Sequence, residues 1–154
     1  AASAPSVSLL SLGGLVRHAT LVQQGWLDSA EAAPGLPAPR GGVDAYLDGF
    51  RFDEDGSLDD LLSAFDEVCA AVLDAVRRLD LDTRVPVPEA PWFPKDVEAW
   101  SVRWVILHVI NELARHAGHA DILRETIDGA TMYDLIAGLE GWRLDGWVTP
   151  WRPR

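Results

Sequence analysis

The chain has one cysteine, Cys69, in 154 residues, so no disulfide can form within it. A single thiol is the usage of a reducing compartment, and a cytoplasmic protein is expected. Basic residues are also scarce. Thirteen Lys and Arg stand against 24 Asp and Glu, leaving a formal charge of −11 and a pI near 4.6. A surface of that sign repels phosphate backbones and anionic headgroups, which argues against nucleic-acid and membrane partners. No apolar run reaches the roughly 18 residues of a membrane span, and the opening A-A-S-A-P-S-V-S carries no basic n-region of a signal peptide. H-E-x-x-H, G-x-S-x-G, C-x-x-C and a glycine-rich phosphate loop are all missing, which removes zincin proteases, serine hydrolases, redox dithiols and nucleotide enzymes of those types.

What is present is helical periodicity. The length fits one domain spanning residues 1–154. From Ser8 to about Ser29, Leu12, Leu15, Ala19, Val22 and Trp26 recur at three- and four-residue steps. His18 lies on that apolar side, while Gln23, Gln24 and Asp28 are expected elsewhere. Ser8 or Ser11 caps the start. The Gly13-Gly14 pair either weakens the helix or admits a close neighbour. Glu31–Asp55 is a long connection rich in proline, glycine and acid, which Phe50 and Phe52 would pin to the body. Ser57–Leu79 is a helix with Asp59 and Asp60 in its first turn and Arg77 and Arg78 in its last. Its expected buried face runs from Leu58, Leu61, Leu62 and Phe65 through Val68, Val72 and Val76 to Leu79, with Cys69 an inert core thiol. Pro86, Pro88, Pro91 and Pro94 keep Asp80–Ala99 from being helical, and Trp92–Pro94 is expected over one end of the core. Ser101–Asp128 is a long helix closed by Gly129, and Thr131–Leu139 a short one. In the irregular tail Trp142, Trp147 and Trp151 would pack back onto the body. The fold class is all-α.

The helix Ser101–Asp128 holds three of the four histidines. At about 100° per residue His108, Glu112, His116 and His119 fall within a sector of roughly 80°. Glu112 and His116, one turn apart on one face, are the pair by which a helix offers two metal ligands. A third ligand has to come from another element, and His18 is the histidine available. Two imidazoles and a carboxylate leave a position open, as catalytic sites do. The donor set suits Zn²⁺ first, with Ni²⁺, Fe²⁺ and Mn²⁺ open. His108 is two turns from His116, about 12 Å along the axis, too far to share one ion. His119 is a further ligand or a neighbour of the site. Arg115 and Arg124 flank the stripe and either hold an anionic cofactor or substrate or stand solvated. The bland alternative for the whole stripe is a set of polar groups hydrogen-bonded nearby.

The run R-W-V-I-L-H-V-I-N-E-L-A-R-H-A-G-H-A-D-I-L-R-E-T-I-D-G, with L-G-G-L-V-R-H-A upstream, resembles the DinB-like superfamily, and within it an actinobacterial branch. That superfamily also holds mycothiol-dependent maleylpyruvate isomerases and bacillithiol S-transferases. The resemblance implies a four-helix bundle whose first helix has no counterpart here. It also implies a divalent metal held by His18, Glu112 and His116. The common pattern has histidine where Glu112 stands, and glutamate there is the usage of the isomerases. His119 takes the place of a glutamine that follows the last ligand, which makes it a residue lining the site.

The activity so implied is thiol transfer. A divalent metal lowers the pKa of a low-molecular-weight thiol such as mycothiol, and the thiolate attacks a small electrophile. His119 is the expected proton carrier, because imidazole titrates near neutrality. Metal-dependent hydrolysis and a non-catalytic bundle that binds metal or a small ligand are the alternatives. A homodimer fits the exposed aromatics and the absent helix.

Overall fold

The computed structural model describes residues 8, 10–41, 43–52, 55–142, 146 and 148–152, with Val43 described through its backbone alone. Helix α1 spans Leu12–Ala32, α2 Val43–Asp48 and α3 Leu58–Arg78. A two-stranded antiparallel ribbon, β1 Arg84–Pro86 with β2 Ala99–Ser101, precedes α4 Val102–Asp128 and α5 Met132–Glu140. In the ribbon Val85 faces Trp100. The chain is all-α apart from this ribbon.

Local chemistry sets the helix ends. Ser11 rather than Ser8 caps α1, its hydroxyl accepting from the Gly14 amide at 3.0 Å. Ser57 accepts from the Asp60 amide and Ser101 from the Trp104 amide, both at 3.1 Å. Thr131 and Asp134 form a reciprocal capping box at α5. Gly129 ends α4 at φ 77°, a left-handed conformation that a side chain would disfavour.

Helix α1 is the element against which both α3 and α4 chiefly pack. Trp26 and Ala30 join Val85, Val102, Val105 and Val109 in one core cluster, and Leu27 joins Val72 and Ala75 in another. His18 meets His116 while Trp26 meets His108, so α1 and α4 are antiparallel. Gln23 meets Cys69 and Glu31 meets Arg78, so α1 and α3 are parallel. Parallel neighbours cannot be joined by a tight turn, which accounts for the long crossing between them. The crossing is not entirely loop, since α2 forms within it.

The α3 face is narrower than its periodicity suggests. Val68, Val72 and Ala75 are buried, whereas Leu58 and Leu62 are each 43% exposed. Among the described residues α1 covers one strip of α3, and the neighbouring apolar strip faces outward. Leu107 and Ile110 do the same on α4. Gln23, expected off the apolar side, is instead among the most buried side chains. It lies between α1 and α3, where its Oε1 accepts from the Cys69 thiol at 3.5 Å. Its Nε2 has no hydrogen-bond partner among the described residues. Phe93 packs on the core as expected, but Trp92 stays out. In the tail the Trp151 amide donates to the Asp134 carbonyl at 2.8 Å and the Trp142 amide to Ala137 at 3.0 Å. Trp147 lies outside the described residues, as do residues 1–7.

Candidate metal centre

Positions 104, 108, 112 and 116 of α4 are Trp, His, Glu and His, a ridge of four-residue steps that puts each side chain about one turn beyond the last, and Trp100 of β2 precedes it. The structure turns this ridge toward α1. Trp100 stacks on Trp104 with ring centroids 3.9 Å apart, and Trp104 stacks on His108 at 4.8 Å. Trp26 of α1 closes edge-on against His108 at 4.9 Å. The column leads to Glu112, whose Oε1 is 3.9 Å from His108 Nε2 and whose Oε2 is 3.6 Å from His116 Nε2.

His18 meets this pair from α1. It is 2% exposed, and its ring lies 4.7 Å from that of His116. One donor atom each of His18, Glu112 and His116 can be chosen so that all three lie within 4.8 Å of one another. In a tetrahedral site with bonds near 2.1 Å the donors stand roughly 3.4 Å apart, so small side-chain rotations bring the set to bonding distance. His108 is outside the group and is held by Trp104, Trp26 and Glu112, as the axial spacing requires.

A cover of aromatic rings lies over His18. The Phe50 ring stacks on the imidazole at 3.7 Å and 15°, and Tyr46 of α2 meets it edge-on at 5.6 Å. The Gly13-Gly14 pair makes this approach feasible. A Cβ on Gly14 would sit 2.1 Å from the Phe50 carbonyl oxygen, and one on Gly13 would sit 2.5 Å from the Phe52 ring. Close packing, rather than weakening of the helix, is what the glycines provide. Arg17 adds a polar clamp, its guanidinium donating to the Asp48 and Arg51 carbonyls and to the Asp48 carboxylate. Sequence reasoning placed Phe50 on the body but not on His18, and it did not single out Tyr46.

Burial, and then the nearness of His116, pushes the His18 pKa down to about 4. Burial also lowers His116, against the opposing pull of Glu112, and lowers His108 in the same way. Neutral imidazoles with free lone pairs are the form that binds a cation. His119 is exposed, with its Nδ1 3.4 Å from His116 Nδ1. Arg115 reaches Glu112 Oε1 at 3.3 Å and is otherwise largely exposed. Arg124 is two turns beyond His116, bonded in bidentate fashion to Asp128 at 2.8 and 2.9 Å and lying over the Trp151 ring. The structure therefore draws His18, Glu112 and His116 together and keeps His119 and Arg115 beside them. Arg124 is engaged elsewhere.

A comparison with protein-family models matches residues 1–129 to the one described as Mycothiol-S-transferase. No curated protein and no solved structure matches the chain.

Proposed function

The chain belongs to the mycothiol S-transferase family, within the DinB-like superfamily, and on that premise we propose that it is a metal-dependent enzyme transferring a mycothiol-type thiol to a small electrophile. The observation that carries the reading is the convergence of His18, Glu112 and His116 from two antiparallel helices. Two neutral imidazoles and a carboxylate fit a divalent ion, Zn²⁺ first, with an open coordination position. Such an ion, when bound, supplies a Lewis acid that lowers the pKa of a thiol.

The protein's own groups do the rest. Phe50 and Tyr46 shield His18 from water. His119, through its contact with His116 Nδ1, fixes which nitrogen of His116 faces Glu112. The second His119 nitrogen is left to take up the thiol proton or return one to the product. Arg115 stands beside Glu112 and can meet an anionic group of the thiol cofactor. Arg124 could do so only by releasing Asp128. Cytoplasmic residence belongs to the same reading and rests on the single cysteine; no helix among the described residues is long and apolar enough to cross a membrane. A homodimer is part of it too, supported by Leu62, Leu107 and Ile110 standing exposed on α3 and α4.

The test is metal analysis and thiol consumption on untagged protein, wild type and His116→Ala. The expected result is about one divalent ion per chain in the wild type and little in the variant. Thiol consumption with mycothiol should follow the metal. Equal, substoichiometric metal in both proteins would remove the proposal.

A further inference from the structure

The crossing between α1 and α3 and the proline-rich connector between the two ribbon strands both deliver aromatic side chains to the same place. Tyr46, which edges His18, has its ring 5.5 Å from that of Trp92, tilted by 35°. Trp92 continues to Phe93 at 6.0 Å, Phe93 to Trp26 at 5.8 Å, and Trp26 to His108 at 4.9 Å. From His108 the circuit returns through Glu112 and His116 to His18. One side of the closed circuit is the candidate ligand set and the other is a wall of rings. The outer rings are not there to fill the core. Trp92 is 56% exposed and Tyr46 46% exposed, and neither belongs to either core cluster. Aromatic faces left in water beside a reactive centre mark a surface for a ligand.

The chemistry of that ligand follows from what surrounds the wall. Flat rings offer stacking and apolar area but few hydrogen bonds. Lys95, three residues past Trp92, is committed to the Ala90 carbonyl, and Arg17 is committed to Asp48, two residues past Tyr46. A small polar substrate would leave the wall in water.

We propose that the electrophile is planar and apolar, an aryl-bearing conjugated carbonyl compound, seated on Tyr46 and Trp92 with its reactive carbon toward the triad. This rests on the thiol-transfer reading above. In the addition the sulfur bonds to the β-carbon as the alkene π bond breaks, the electron pair moves to the α-carbon, and the thiol proton ends there. Nothing is oxidised or reduced, and no group leaves.

The test separates this inference from the one beneath it. Binding of the neutral dye N-phenyl-1-naphthylamine is titrated by fluorescence, without thiol, on wild type, Trp92→Ala, Tyr46→Ala and Leu73→Ala, the last an exposed apolar residue on α3. Saturable binding is expected in the wild type, about fivefold weaker in the Trp92 and Tyr46 variants and within about twofold of wild type in Leu73→Ala. No saturable binding, or an equal effect of all three substitutions, overturns the wall. With mycothiol, trans-chalcone should be preferred over methyl vinyl ketone, and Trp92→Ala should erase the preference. A preference that survives Trp92→Ala also overturns the wall. Dye binding that behaves as expected, with no conjugation of either electrophile, leaves the wall standing and removes the S-transferase reading.

Discussion

The ring of Phe50 lies flat on the imidazole of His18, 3.7 Å away and 15° from parallel. The contact joins a helix to the crossing that leaves it, and it does three things at once. It excludes water from one face of the imidazole, it holds the ring plane, and it helps keep the group neutral.

Gly14 permits that contact, so Gly14→Ala tests it with an informative sign. In an ordinary helix interior the change would stabilise by about 1 kcal/mol. Here the new Cβ would meet the Phe50 carbonyl oxygen at 2.1 Å, a backbone atom that cannot simply rotate away. The expected outcome is destabilisation by about 1–3 kcal/mol, with weaker metal binding, read by urea unfolding and by metal titration. An increase in stability would show that the segment carrying Phe50 does not pack as described.

His18 makes stability depend on pH. Its pKa of about 4 lies below the ordinary 6.5, so below pH 6.5 the unfolded chain takes up a proton that the folded chain resists. This contribution is complete above the ordinary value and is lost as the pH falls through about 4, a loss on the order of 3 kcal/mol. Metal-free protein unfolded in urea at about pH 7.5 and about pH 4.5 should show it. His18→Gln should flatten that part of the difference, and an unchanged difference would mean that His18 is not held neutral.

His119 is exposed and touches His116, so removing it should spare the fold. His119→Gln should keep its metal but lose roughly a hundredfold in kcat/KM for thiol transfer, together with one limb of the pH profile. Steady-state kinetics across pH beside metal analysis decides this. Loss of metal equal to that of His116→Ala would make His119 a ligand instead.

Much of this architecture was legible in the residue order, and the exceptions share a cause. Helix periodicity and the caps at Ser57, Ser101, Thr131 and Gly129 are local, and they placed α3, α4 and α5 closely. The Glu112–His116 pair is local too. His18 was identifiable as the partner because no histidine is available outside α4 but this one. The exposed strip of α3 was not legible, since a period reports which residues are apolar and not what lies against them. Gln23 was misplaced for a related reason. It is buried because α3 arrives on a second side of α1, a tertiary event that outweighs the polarity of one side chain. The wall of rings depends on two connectors meeting, which no periodicity encodes.

The way the cover is attached has a kinetic consequence. No described side chain of 44–52 belongs to either core cluster, and the segment is tied down by Arg17, by Phe52 on Gly13, by Phe50 and Tyr46 on His18 and by Tyr46 on Trp92. A unit held so lightly opens at a far smaller free energy than the bundle unfolds. On the proposed metal reading, entry and exit at His18 would proceed by lifting this segment while all three long helices stay folded. On the same reading, residence time at the centre would be set by the segment and affinity by the helices, so the two could be tuned separately.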